Sequence, residues 1–201
     1  MSSKTRLSGE ERRSQILEVA INIFSEKGFS GSRIKEIAEL ADISETLIFQ
    51  HFSSKEDLYK AALQDFFKKH PLMPEIEPML KIKDDAGVFS SLARHLIINS
   101  RNDPRIIRVA LFAALEGMHF DEILNEDAGT LSKSLARYIQ QRIKDGAFRK
   151  INTSIAARLF IETVYMYTLD QHAAISGPVL PNSDEEIIKT LVSIFLNGIT
   201  S

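Results

Sequence analysis

Apolar residues return every three to four positions along most of this chain, and short polar or Gly/Pro-bearing breaks separate the runs. Ile16, Val19, Ala20, Ile23 and Phe24 fall on one helical face, opened by a Ser8–Glu11 capping box and closed at Lys27-Gly28. Ser32 is placed to cap a second helix with Ile34, Ile37, Ala38 and Ala41 as its buried stripe. Ser44 opens a third, ending near Phe52, and a Ser53–Glu56 box opens a fourth through Leu58, Ala62 and Phe66. Pro71, Pro74 and Pro78 then predict a break or bend between about 70 and 80. Further helices are predicted from Asp84 to Asn99, from Asp103-Pro104 to Gly117, and from Asp121 to Lys144. Two more run from Asn152 to about Ser176 and from the Ser183–Glu186 box to Asn197-Gly198. Nine helices without a convincing strand or repeat predict an all-α protein, divided into residues 1–54 and residues 55–201 with the fourth helix as connector.

Composition narrows the function classes. An apolar fraction of 44% suits a buried core, and no run of about 18 apolar residues predicts a membrane span. The polar N-terminus, MSSKTRLSGEERR, lacks a secretory core and points to the cytoplasm. With zero cysteines, disulfides, thiolate metal sites and a Cys nucleophile are excluded, and no His or acidic cluster suggests another metal or a cofactor. The net charge is −2, and residues 1–60 hold nine Lys/Arg against ten Asp/Glu, so attraction to phosphate must come from placement rather than excess. Lys4, Arg6, Arg12 and Arg13 crowd one end, while Arg33, Lys35 and Lys55 lie among the short helices.

Those short helices carry the most specific pattern. Two helices crossing closely need a small residue, supplied by Ala38, and the turn four residues on needs a left-handed backbone, which Asp42 tolerates. Ile43 and Ile48 plug the turn and the second helix onto a core. Rotation by 100° per residue from Ile48 sends Thr46 and Gln50 outward, with Leu47 and Phe49 on the flanks. Such an outward helix enters a DNA major groove, where Gln pairs with adenine, Leu presses a thymine methyl and Glu45 accepts from a cytosine amino group. Ser32, Arg33, Ser44, His51 and Lys55 complete the expected DNA-facing set, Lys55 as a phosphate ligand at a helix start.

The stretch from about residue 9 to 63 resembles the TetR family of transcriptional regulators. The resemblance rests on Gly28-Phe29, Ile37-Ala38, Ala41-x-Ile43-Ser44 and Phe49-x-His51-Phe52-x-Ser54-Lys55-Glu56-x-Leu58, with Gly146-x-Phe148-Arg149 further on. The family commonly has Gly at Asp42, a basic residue at Glu45, Gly-Thr at Thr46-Leu47 and Tyr at Phe49, so this chain implies an unusual operator. The resemblance implies a ligand-responsive, homodimeric repressor of a palindromic double-stranded DNA operator, released by a small effector, with a C-terminal ligand-binding and dimerisation domain. It implies no enzyme and no cofactor.

The residues beyond 70 support that division. Ile187, Ile188, Leu191, Ile194 and Phe195 surround more than one face of the last helix, and Ile155, Leu159 and Thr163 recur on the one before, as a subunit interface requires. By resemblance these two helices form a four-helix bundle between subunits. Phe66, Phe89, Leu92, His95, Leu96, Phe112, Leu115, Met118, Tyr138, Phe160, Tyr165 and Met166 are the candidate lining of a mainly apolar ligand pocket. Two other classes are a helical enzyme, for which His119 with Asp121 and Glu122 or His172 with Asp170 are the scattered candidates, and a protein-binding adaptor without direct DNA readout.

Overall fold

The structure is a computed structural model that describes residues 8–118, 131–173 and 180–200. Among these, ten α-helices form, and the only strand-like pairing is an isolated antiparallel bridge between Phe148 and Thr200. The chain divides into two compact units: residues 1–69 with 108–124, and residues 70–107 with 125–201.

In the first unit α1 (Gly9–Gly31) opens with both bonds of the expected box, Glu11 N to Ser8 Oγ at 3.2 Å and Ser8 N to Glu11 Oε2 at 2.7 Å. The helix breaks at Gly28, whose φ of 71° lies in the left-handed region, and resumes for one turn. α2 (Ile34–Leu40) and α3 (Glu45–His51) follow, then α4 (Lys55–Lys69), which lies along α1. Ile16, Ala20, Phe24, Ile37, Ile48 and Leu58 are buried between them, as helical spacing predicted, and Leu63 is buried with them. Phe24 meets the buried ring of Tyr59 edge-on at 4.8 Å, and Phe29 meets it at 5.3 Å.

Two caps differ from the sequence reading. The residue preceding α2 is Arg33, without a side-chain cap; Ser32 instead turns its hydroxyl back to the Phe29 carbonyl at 2.8 Å. At α4 the cap lies one residue later than expected: Ser54 Oγ accepts from Asp57 N at 3.1 Å, and Asp57 accepts from Ser53 N at 2.9 Å. Both serines compete for the same free amides, and the neighbouring pair satisfies them.

The second unit contains a helix where the prolines predicted a break. α5 (Met73–Ile82) has Pro74 in its first turn, where a missing N–H costs nothing, and carries Pro78 inside before ending at left-handed Lys83. α6 (Asp85–Asn102) receives α5, and α7 (Arg105–Leu115) begins in this unit and continues in the first. α8 (Leu131–Lys144) covers the described part of the helix expected from 121, and residues 121–130 lie outside the described ones. α9 (Thr153–Thr168) was expected to reach about 176; its α-geometry ends at Thr168 and a π turn, Leu169–Ala173, follows. There the buried Gln171 amide exchanges two bonds with the backbone of Leu180, at 2.9 and 3.1 Å. α10 (Asp184–Ile199) starts at its Ser183 cap and packs on α6.

Phe89 of α6 lies at the centre of this unit, fully buried, with Phe160 and Phe195 at 4.9 and 5.0 Å. Asp85 at the start of α6 accepts from Tyr138 Oη at 2.6 Å and from Arg142 at 2.8 and 3.0 Å. Arg142 also reaches Asp145 at 2.8 Å, which Lys83 approaches at the same distance. Burial and the Asp85 carboxylate push the Tyr138 phenol well above its ordinary range.

A Cβ at Gly28 would lie 2.5 Å from Glu116 Oε1 and 2.9 Å from Phe112 Cδ1, besides forcing an L-residue into positive φ. Gly28→Ala is therefore expected to cost about 2–4 kcal/mol, the sum of left-handed strain and overpacking. Urea unfolding should show a lower midpoint with an unchanged slope.

Candidate nucleic-acid interface

A seven-residue helix cannot hold itself in water, so α3 depends on what anchors it. Ile48 is fully buried and Phe52, just past the helix, is nearly so. Ser44 caps the start, its Oγ accepting from Leu47 N at 3.2 Å. The turn from α2 runs through Asp42 at a φ of 54°, and Ile43 N reaches the Ala38 carbonyl at 3.0 Å. Ala38 is buried at the crossing, as the pattern required, and Gln15 of α1 donates to the Ala41 carbonyl at 3.1 Å. Asp42 thus fills the left-handed position that most often falls to glycine.

The opposite face of α3 is free of the core. Glu45, Thr46 and Gln50 are exposed, Phe49 is 51% exposed, and Leu47 and His51 are half-buried on the flanks. Arg33 is exposed at the start of α2, and Ser44 holds the cap. Ser32 is buried, so its side chain is not presented to a ligand. Lys55 also differs from its expected role. Its Nζ turns inward, donating to the Ser32 carbonyl at 2.7 Å and lying 4.4 Å over the Phe29 ring. Burial pushes this ammonium below its ordinary pKa.

Two contacts here had no local signal in the sequence. Arg13 of α1 covers the Phe52 ring at 5.0 Å. Glu116, some 87 residues along the chain, accepts from Phe29 N and Ser30 N at 3.2 and 3.0 Å.

The expected pocket residues are distributed over both units. Phe66, Phe112, Leu115 and Met118 belong to the first, with Leu115 74% exposed. Phe89, Leu92 and Phe160 form the closed core of the second, with Leu96, Tyr138 and Tyr165 packed against it. His95 Nδ1 lies 3.1 Å from Glu75 Oε1 and its Nε2 3.1 Å from Asn99 Nδ2, which fixes its ring between α5 and α6. Met166 is 60% exposed and stands apart from that core. Two surface depressions in this unit, of 410 and 350 Å³, are lined by other residues, such as Lys133 and Arg137 in one and Ser90 and Lys189 in the other.

The expected interface residues also divide by face. Ile155, Leu159 and Thr163 on α9 and Ile194 on α10 are exposed, with Ile187 and Leu191 half-buried beside Ile194. Met166 extends the α9 stripe by its spacing. Ile188 is 1% exposed and Phe195 packs 5.0 Å from both Phe89 and Phe160, so these two serve the protomer's own core. They lie one helical step from the outward stripe, which is why composition alone grouped them with it.

The geometry defines a helix-turn-helix DNA-binding protein, a short capped helix held by one face with the other free. Residues 16–62 match the model described as bacterial regulatory proteins, tetR family. FasR, a transcriptional activator of Mycolicibacterium smegmatis, is 44% identical over 59 residues, which are 29% of this chain and 27% of FasR. The transcriptional regulator RutR of Escherichia coli is 29% identical over 146 residues, 70% of this chain and 66% of RutR. The match thus spans about a quarter of one relative and just under two thirds of the other. The solved structure of the fatty acid degradation regulator FadR from Bacillus halodurans superposes with a TM-score of 0.71 at 16% identity, over 96% of this chain and 98% of that one. Residues 16–62 thus form a DNA-binding domain of the kind found in bacterial regulatory proteins of the tetR family, and the chain as a whole shares the fold of solved regulators such as FadR. Among the described residues no helix is long and apolar enough to cross a membrane.

The opposite orientations of Arg33 and Lys55 separate in a salt titration. Arg33→Gln is expected to flatten the slope of log K against log salt for duplex binding by about 0.9, one phosphate's share. Lys55→Gln should leave that slope unchanged and lower the thermal midpoint instead.

Proposed function

We propose that this chain is a homodimeric regulator that reads a palindromic duplex operator with α3 and releases it when a small, mainly apolar effector binds the second unit. The observation that carries this reading is the two-sided character of α3: Ile48 is fully buried while Glu45, Thr46, Phe49 and Gln50 stand free. Gln50 is the side chain suited to a bidentate pair with adenine, and Leu47 and Phe49 offer carbon to thymine methyls and sugar faces. Thr46 offers a hydroxyl, and Glu45 selects for a cytosine amino group and against a nearby phosphate.

The exposed stripe Ile155, Leu159, Thr163 and Met166, with Ile187, Leu191 and Ile194, is the surface for a second copy. Monomeric soluble proteins rarely leave such a stripe in water. A dimer presents two copies of α3 about 34–36 Å apart, the spacing of successive major grooves. The effector competes with the aromatic packing around Phe89, and it acts only through a higher affinity for the form that does not bind DNA.

Selection from random-sequence duplexes should return an inverted repeat. Gln50→Ala should relax preference at one base pair per half-site by about 1–3 kcal/mol. Leu159→Glu combined with Ile194→Glu should sediment as a folded monomer with lost operator affinity. Recovery of no common sequence would reject direct readout in favour of a protein-binding adaptor.

A further inference from the structure

We propose that Glu116 is a positioning residue for DNA reading, a carboxylate latch through which the segment 108–118 fixes the corner that seats the helix-turn-helix; this rests on the reading of α3 as the DNA-contacting element. The break at Gly28 leaves α1 with carbonyls short of helical donors on one side and amides without helical acceptors on the other. One segment, distant in sequence, answers both. Arg108 Nε donates to the Ser25 carbonyl at 2.9 Å, ahead of the corner. Glu116, two turns later, accepts from Phe29 N and Ser30 N through separate oxygens at 3.2 and 3.0 Å, beyond it. Gly28 admits this carboxylate because a side chain there would occupy its place.

The latched corner leads straight to the reader. Ser32 closes it through its hydroxyl on Phe29 O, and the Ser32 carbonyl receives Lys55 at the start of α4. α2 begins two residues later. A displacement of the 29–30 backbone therefore moves both the entry to α2 and the Lys55 bond that ties α4 to it. Among the described residues this path runs through hydrogen bonds and the Lys55–Phe29 ring contact, and the charge-assisted pair at Glu116 reaches its 29–30 backbone from outside the N-terminal helices.

A second observation marks the site as adjustable. The hydroxyl of Tyr59 is buried without a hydrogen-bond partner, beneath the same Phe29. The Glu116 carboxylate lies near enough to add to the burial that pushes this phenol up to about 12. A buried donor without an acceptor, beside a carboxylate engaged elsewhere, gives Glu116 an alternative partner. Moving from the 29–30 amides to Tyr59 would satisfy the hydroxyl and free the corner.

The test uses the full-length chain, amide hydrogen exchange at Phe29 and Ser30, and binding to the selected operator and to a scrambled duplex. Glu116→Ala should speed exchange of these two amides and weaken operator binding by about tenfold or more, equivalent to about 1.4 kcal/mol. Scrambled-duplex binding and the helical circular dichroism should stay unchanged. Glu116→Gln, which keeps its shape and one acceptor oxygen, should fall between the two and covers the case in which the alanine variant does not fold. Tyr59→Phe, lacking the alternative partner, should slow exchange at the corner. Faster exchange with undiminished operator binding would overturn the proposal, as would unchanged exchange, or equal losses on operator and scrambled DNA. A wild-type chain without sequence preference would remove the premise itself, an outcome seen before any variant is made.

Discussion

Everything the first unit does depends on holding a helix of seven residues by one face. Helix nucleation is costly, and a segment this short is mostly unfolded when free in water. Ile48 alone contributes roughly 1.5–3 kcal/mol by burial, and the Ser44 cap adds about 1. These act because α1, α2 and α4 already form the surface that Ile48 enters. The exposed side of α3 is thus subsidised by its buried side, and the polar identity of the one is independent of the apolar identity of the other. Glu45 and Phe49 depart from the family's usual residues without disturbing Ala38, Ile43 or Ile48 beneath them.

The second unit solves a different problem, since its helices are longer and amphipathic. α6 lies at its centre, with Phe89 buried among Phe160, Phe195 and Phe148 and its charged groups on the faces turned away from them. Asp85 gathers Tyr138 and Arg142 at one end, while Arg94 and Arg101 reach Glu185 and Asp184 on α10. The half-exposed pairs add direction more than stability.

What could be read in advance was whatever local spacing determines. The Ser8–Glu11 box, the left-handed turn at Asp42, the crossing at Ala38 and the helical stripes all follow from neighbours within a turn or two. Prolines misled at 73–82 because Pro74 occupies a first turn, where it is favourable, and the helix tolerates Pro78. The cap of α4 shifted from Ser53 to Ser54 because adjacent serines offer the same chemistry. Lys55 was read as outward from its place at a helix start. Its true direction is set by Phe29 and the Ser32 carbonyl, more than twenty residues back. Phe195 and Met166 lie elsewhere than expected for a related reason: both are large and apolar, and the packing around Phe89 draws Phe195 in and leaves Met166 exposed. Glu116 had no local signal at all, since its partners lie in another part of the sequence.

Phe49 gives the reading face a thermodynamic character of its own. Half exposed and without a hydroxyl, on the proposed reading face it would offer DNA carbon where an oxygen would have offered a hydrogen bond to phosphate. Covering carbon leaves the number of released counterions unchanged, whereas it makes the heat capacity of association more negative. Glu45 beside it further limits how many phosphates can approach. A complex closed over such a face would have an enthalpy that changes steeply with temperature.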